Sequence, residues 1–264
     1  MTEVGNASVS VTTAEGVGWI VLTRPAQINA INDEIRSAVP QALRALDADD
    51  AIGAIVIRGD GERGFCAGAD IKEQRGPETS IEVRRRMAKS RWIESVDEVQ
   101  KPVIAAIHGY TMGGGLELAL ACDVRFAAPD AVMSLPETGL GLIPGGGGTQ
   151  RLPRIIGMAR AMDMMLTGQR LNAEQAMNIG LVTRVATSQQ THLQEVAELA
   201  VLIAKRPPVA TRYVKRAVSA AADMDLKKGL DLELDLFALL KTSADATEAA
   251  TAFRQKRAPV FSGK

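Results

Sequence analysis

Two glutamates stand where acidic side chains are disfavoured. Glu117 interrupts the apolar run Leu116, Leu118, Ala119, Leu120 and Ala121, and Glu137 follows Pro136 in a second apolar stretch. A carboxylate among apolar neighbours costs free energy unless it has a partner or a task. Paired carboxyls in a water-poor site perturb each other's protonation, so one can act as acid while the other acts as base. Adding water to a carbon–carbon double bond requires that combination. The two residues are separated by enough chain to run out through a strand near Asp123 to Ala127 and return, so they can face one site. The plainer alternative for Glu117 is an acidic residue in the first turn of a helix, favoured by the helix dipole.

Glycines accompany these polar residues in three segments: Gly64-Phe-Cys-Ala-Gly-Ala-Asp-Ile-Lys72, Lys101 to Asp123 around Gly113-Gly-Gly-Leu-Glu-Leu118, and Leu135 to Thr149. In the second, the apolar strand Val103 to Ile107 leads into three glycines and a helical pattern beginning near Leu116. That arrangement gathers unpaired backbone N–H groups at a helix N-terminus, where negative charge is favoured. A thioester carbonyl turning into an enolate needs two such donors aimed at its oxygen. A tight turn serving only helix packing is the competing explanation. The run Pro144 to Thr149 lacks the Lys-Ser or Lys-Thr ending of a phosphate loop, so it reads as a helix start that also lets backbone approach the site.

Other chemistries lack support. His108 and His192 have no triad-like neighbours, no Gly-x-Ser-x-Gly elbow occurs, and Cys66 and Cys122 lack metal-ligand spacing. Both thiols are expected to be free, as in a reducing compartment. Lys plus Arg and Asp plus Glu each number 31, giving no net field for nucleic acid. The run Arg84, Arg85, Arg86, Lys89 and Arg91 reads as a solvated helix face. No apolar stretch suits a membrane span, and Met1 to Glu15 carries no leader pattern, so a cytoplasmic protein is expected.

These groups need a scaffold. Val17 to Thr23, Ala54 to Arg58 and Val103 to His108 read as strands, and Asn32 caps a helix carrying Ile35, Val39, Ala42, Leu43 and Leu46 on one face. This α/β core is expected over residues 1–190. A helical region follows over 191–264, with helices near His192 to Ala204, Pro208 to Ala222, Leu226 to Leu240 and Ala246 to Lys256. Leu226, Leu230, Leu234 and Phe237 form a stripe that must be covered by the chain itself or by another subunit.

Together these motifs resemble the enoyl-CoA hydratase/isomerase, or crotonase, superfamily, from Thr23-Arg-Pro-Ala-Gln-Ile-Asn-Ala-Ile31 to Phe253-Arg-Gln-Lys-Arg257. The resemblance implies an α/β spiral of ββα units with a C-terminal helical trimerisation region, and a homotrimer or a hexamer of two trimers. It implies that the backbone N–H groups of Ala69 and Gly114 form an oxyanion hole, with Glu117 and Glu137 as the catalytic acid–base pair. Ala67, Asp70, Ile71 and Lys72 match a region lying along coenzyme A, as does Ala69, and Phe253 and Lys256 match residues that reach coenzyme A across subunits. The implied partner is an acyl-CoA thioester, with no metal and no cofactor beyond the coenzyme A of the substrate.

Retention of both glutamates points to enoyl-CoA hydration. Leu135 stands where well-known hydratases carry a polar residue, and Thr138 where an aliphatic one is common. Leu-Pro-Glu and the ending Lys-Arg-Ala-Pro-Val-Phe are similar to members acting on carnitinyl-CoA or alicyclic enoyl-CoA. A double-bond isomerase, needing one proton shuttle, is the alternative. An RNA-binding relative fits the neutral composition poorly.

Overall fold

The computed structural model describes residues 6–70, 72–73 and 76–264. Strand β1 (Val9–Ala14) turns through Glu15 and Gly16 into β2 (Val17–Leu22), its antiparallel partner. Both turn residues have positive φ, 50° and 78°, as the tight hairpin turns that match strand twist require. β2 then pairs in parallel with β3 (Ala54–Gly59), β3 with β4 (Val103–Ile107), β4 with β6 (Val124–Ala127) and β6 with β9 (Arg184–Val185). Parallel strands are covered on both faces, and β4 is buried throughout.

Side-chain alternation divides this sheet between two apolar layers. Ile55, Ile57, Val103, Ala105 and Ile107 join the main core with helix α1 (Asp33–Ala48), while Val56, Ile104 and Ala106 face the other way. Asn32 caps α1 as expected, its Oδ1 accepting the Ile35 N–H at 3.0 Å.

A second, three-stranded sheet joins β5 (Tyr110–Met112), β7 (Val132–Ser134) and β8 (Leu171–Asn172). It exposes a repeat of conformation without a repeat of sequence. β4, β5 and α4 (Gly114–Ala121) make one ββα turn; β6, β7 and α5 (Gly148–Ile156) make the next. The earlier turns substitute single bridges for the second strand: Cys66 pairs with Thr111, and Ile31 pairs with Ala69. Helices α2 (Ser80–Ser90) and α3 (Ser95–Glu98) complete the turn that β3 begins. α2 buries none of its residues, and Arg84, Arg85, Lys89 and Arg91 are exposed.

Beyond α5 come α6 (Met158–Thr167), α7 (Ala173–Asn178), α8 (His192–Ala204), α9 (Pro208–Ala220), α10 (Leu226–Lys241) and α11 (Ala244–Gln255). α8 lays Val196 and Ala200 on Val56, Ile104 and Phe126, forming the second core layer. α9 ties back to the sheet, since Lys215 pairs with Asp123 at 2.8 Å and donates to the Lys101 carbonyl. α11 begins at Ala244 rather than Ala246 because Ser243 Oγ accepts the Ala246 N–H. Leu226, Leu230, Leu234 and Phe237 on α10 all remain exposed within one chain. Among the described residues no helix is long and apolar enough to cross a membrane.

Candidate active site

The geometry grows from two backbone segments running side by side. Residues 63–66 follow 108–112 through Phe65 N–H to the His108 carbonyl, Tyr110 N–H to Arg63, Cys66 N–H to Tyr110 and Met112 N–H to Cys66, at 2.8 to 3.2 Å. On its far side, the segment ending at Asp70 is held by residues 28–31. Ala67 N–H donates to the Ile28 carbonyl, Ile31 N–H to Gly68 and Asp70 N–H to Ile31. These bonds pass over two amides, those of Gly68 and Ala69; the Gly68 amide lies against the Cys66 thiol, and that of Ala69 meets no acceptor among the described residues.

Gly114 opens α4 two residues before Leu116, where the helical pattern is expected to begin; its N–H is one of the unpaired donors of a helix start. It too meets no acceptor among the described residues. A Cβ built on Gly68 would lie 3.4 Å from the Gly114 nitrogen, and one on Gly114 would lie 4.0 Å from the Ala69 nitrogen. The two free donors are therefore neighbours. Gly113 adopts φ 51°, a conformation open to glycine and strained for most other residues.

Both carboxyls approach this turn. Glu117, only 4% exposed, projects from the first turn of α4, and its Oε1 accepts the N–H groups of Gly146 at 2.7 Å and Gly148 at 2.8 Å. Its Oε2 lies 3.9 Å from a Cβ placed on Gly114. Glu137 arrives from the other direction. Gly113 N–H donates to the Ser134 carbonyl at the end of β7, so the turn that follows brings Glu137 Oε1 to 2.9 Å from a Cβ placed on Gly113. The other oxygen, Oε2, is buried with no hydrogen-bond partner among the described residues.

Burial pushes both carboxyls above the usual carboxylate range. The Gly148 and Gly146 amides oppose that push at Glu117 by favouring its charged form. At Glu137 its own amide opposes it, whereas the nearby Glu117 charge reinforces it. The approach of Glu137 to Gly113 and of Glu117 to Gly114 puts the carboxyls beside the same turn as the unpaired amides. The wall around Glu117 is apolar: a Cβ on Gly146 would meet Ile93 Cδ1 and Glu117 Oε2 together, and one on Gly148 would meet Leu135 Cδ1 and Glu117 Oε1.

The remaining expected residues fall in different places. Ala67 is partly buried beside Gly68; Asp70 pairs with Arg24 at 2.8 Å and accepts the Lys72 N–H at 3.0 Å. The Arg24 guanidinium holds the Asp70 carboxyl below its usual range. Lys72 is exposed, and Ile71 lies outside the described residues. Phe253, 86% exposed, and Lys256 lie at the end of α11, with no hydrogen bond to the site in a single chain. His108 and His192 bond to the carbonyls of Gly61 and Phe126, away from both carboxyls. Among the described residues no cluster of three His, Cys, Asp or Glu side chains could hold a metal ion.

Two clefts lie elsewhere. One of about 310 Å³ lies between α6 and α7, and one of about 480 Å³ between α4, α5 and α9; neither is lined by Glu117, Glu137, Ala69 or Gly114. Leu140, Leu142 and Ile143, which follow Glu137 in the chain, are exposed, and the Leu142 N–H donates to the Glu137 carbonyl.

The sequence matches the enoyl-CoA hydratase/isomerase family model over residues 12–264. The chain belongs to the enoyl-CoA hydratase/isomerase family. Its relatives include the enoyl-CoA isomerase/hydratase fer4 of Mycosarcoma maydis, 42% identical over 94% of this chain and 93% of that protein. The crotonyl-CoA hydratase of Syntrophomonas wolfei is 36% identical over 95% and 96%. A solved enoyl-CoA hydratase from Bacillus anthracis superposes with a TM-score of 0.92 at 38% identity, covering 97% of this chain and all of that one. The α/β spiral with its C-terminal helices is thus the crotonase-type fold of this family, which acts on acyl-CoA thioesters.

The run holding Gly146 and Gly148 reads from residue types as a helix start that lets backbone approach the site, but that reading does not pair these two amides with Glu117. Asn29, buried beside the donor segment, also went unremarked except as part of a family motif. Its signal is an asparagine at positive φ, one of the few non-glycine residues that adopts such a conformation readily.

Proposed function

We propose that this protein adds water reversibly to a 2-enoyl-CoA thioester to give a 3-hydroxyacyl-CoA, a hydro-lyase reaction. The observation that carries the proposal is the meeting of two unpaired amides and two coupled carboxyls at the Gly113–Gly114 turn. The thioester oxygen accepts from the Ala69 and Gly114 N–H groups, which draws charge away from C3. Glu117 takes a proton from water as its oxygen bonds to C3, and electrons move through C2 onto the thioester oxygen. The Glu137 carboxyl then protonates C2 as the enolate collapses. A proton passing between the two carboxyls restores the starting state. The amide bonds favour an ionised Glu117, while burial and the Glu117 charge favour a protonated Glu137. The cycle calls on no metal or redox group, and coenzyme A arrives as part of the substrate.

Incubation with crotonyl-CoA, longer enoyl-CoAs and cyclic enoyl-CoAs should bleach the conjugated thioester absorbance and yield 3-hydroxyacyl products. Silence across that panel would overturn hydration. Double-bond isomerisation is the second reading, supported by the paired activities in the name of the Mycosarcoma maydis relative. A 3-enoyl substrate converted to its 2-enoyl isomer, with no hydrated product, would select it. The exposed α10 stripe supports a homotrimer or a pair of trimers, and the two buried free thiols suit the cytoplasm.

A further inference from the structure

We propose that Asn29 is a positioning residue, holding the Ala69 N–H at the angle the thioester oxygen requires; this rests on the oxyanion reading above. Asn29 is fully buried and sits at φ 53°. Its Nδ2 donates to the carbonyls of Asp60 and Gly64, both at 3.0 Å, and its Oδ1 accepts the Arg24 N–H at 3.0 Å. Its own carbonyl accepts the Cys66 thiol at 3.1 Å.

The amide side chain therefore grips the start of the donor segment at Gly64. The backbone on either side of Asn29 grips its end, through Ile28 to Ala67 and through Ile31 to Gly68 and Asp70. Gly64 and Asp70 are thus fixed to one short stretch, and the unpaired Ala69 N–H lies between the fixed points. Arg24 closes the loop by reaching Asp70 and the Ala30 carbonyl. A donor pinned on both sides cannot swing to follow a mobile carbonyl, which is the condition for stabilising charge without reorganisation. The packing leaves little slack: a Cβ on Gly59 would lie 2.6 Å from Asn29 Nδ2.

Asn29→Ala removes all three side-chain bonds. Asn29→Asp keeps an acceptor for Arg24 but withdraws both donors. If the donor segment loses its register, kcat per folded protein should fall about 10²-fold, the usual effect of an ångström-scale misplacement, with KM and coenzyme A affinity nearly unchanged. A 3-ketoacyl-CoA, whose enolate presents its charge to the same donors, should bind wild type with a larger ionised fraction than either variant, read from enolate absorbance. Unchanged kcat and enolate fraction in the folded variants would overturn the proposal. So would loss of fold in both, which would make Asn29 a folding residue alone. Ala69→Pro, which deletes the donor itself, separates the two levels. If folded Ala69→Pro retains turnover, the oxyanion reading fails; if it is inactive while the Asn29 variants turn over normally, only the role of Asn29 fails.

Discussion

Gly115 lies so close to Cys66 that a Cβ on its α-carbon would come within 2.3 Å of the Cys66 carbonyl oxygen. The start of α4 and the segment carrying Ala69 therefore meet backbone to backbone. Gly115→Ala forces one of them to move, and because the obstructing atom is backbone, no side-chain rotation relieves it. Overpacking of this kind costs about 1–3 kcal/mol or more, so the melting temperature should fall and turnover should fall further than stability explains. Thermal melts beside turnover per folded protein measure both.

Glu117→Gln and Glu137→Gln should each lower kcat by about 10² to 10⁴-fold, the range for a lost acid or base, while coenzyme A binding stays close to wild type. Isothermal titration with coenzyme A and steady-state hydration kinetics separate the two effects. Equal weakening of both would point to a structural role for the carboxyls.

Stability should respond to pH through Glu137. Its folded-state pKa is raised, so the native protein holds this proton more tightly than the unfolded chain. That contribution is complete below the ordinary carboxylate range and disappears as pH rises through the folded value. Glu137→Gln has no proton to lose, so its melting temperature relative to wild type should increase as pH rises from the ordinary carboxylate range through the raised folded-state value. A constant difference across parallel melts would contradict the assignment.

Lys101 offers a contrast remote from the chemistry. Its side chain is buried and donates to the carbonyls of Leu46 at 2.7 Å and Asp49 at 2.6 Å, clamping the end of α1. Lys101→Met keeps the aliphatic stem but leaves the Leu46 carbonyl without its donor, at about 1–3 kcal/mol, while the Asp49 carbonyl keeps the Ile52 N–H. Calorimetry should show a lower melting temperature with coenzyme A affinity unchanged.

The α10 stripe makes a prediction about mass. Leu230→Glu with Leu234→Glu places charge on residues that a neighbouring subunit would cover, so light scattering should report a smaller particle than wild type. An unchanged mass would place any subunit contact elsewhere.

Much of the scaffold was legible because its signals are local. The four C-terminal helices follow from their apolar period, and Asn32 declared its cap through residue type and place. β5 and β7 are three residues each, too short for alternation to register, and their pairing joins segments more than twenty residues apart. The site divides similarly. A glutamate in an apolar helix start is conspicuous by itself, but its Gly146 and Gly148 partners lie 29 and 31 residues away and exist only after the chain has completed another turn of the spiral. Ala69 has no side-chain chemistry to notice, and family resemblance alone singled it out. Asn29 was hidden because its bonds are to backbone carbonyls, whose positions the order of residues does not disclose.

Burial pushes the Cys66 and Cys122 thiols up to about 12, so neither supplies thiolate while the chain stays closed. A maleimide pulse consequently acts as a clock for opening rather than as a modifier of the working enzyme. Because Cys66 sits three residues before Ala69 and Cys122 at the far end of α4, peptide mapping of the label distinguishes breathing of the donor strand from unravelling of the helix that bears Glu117.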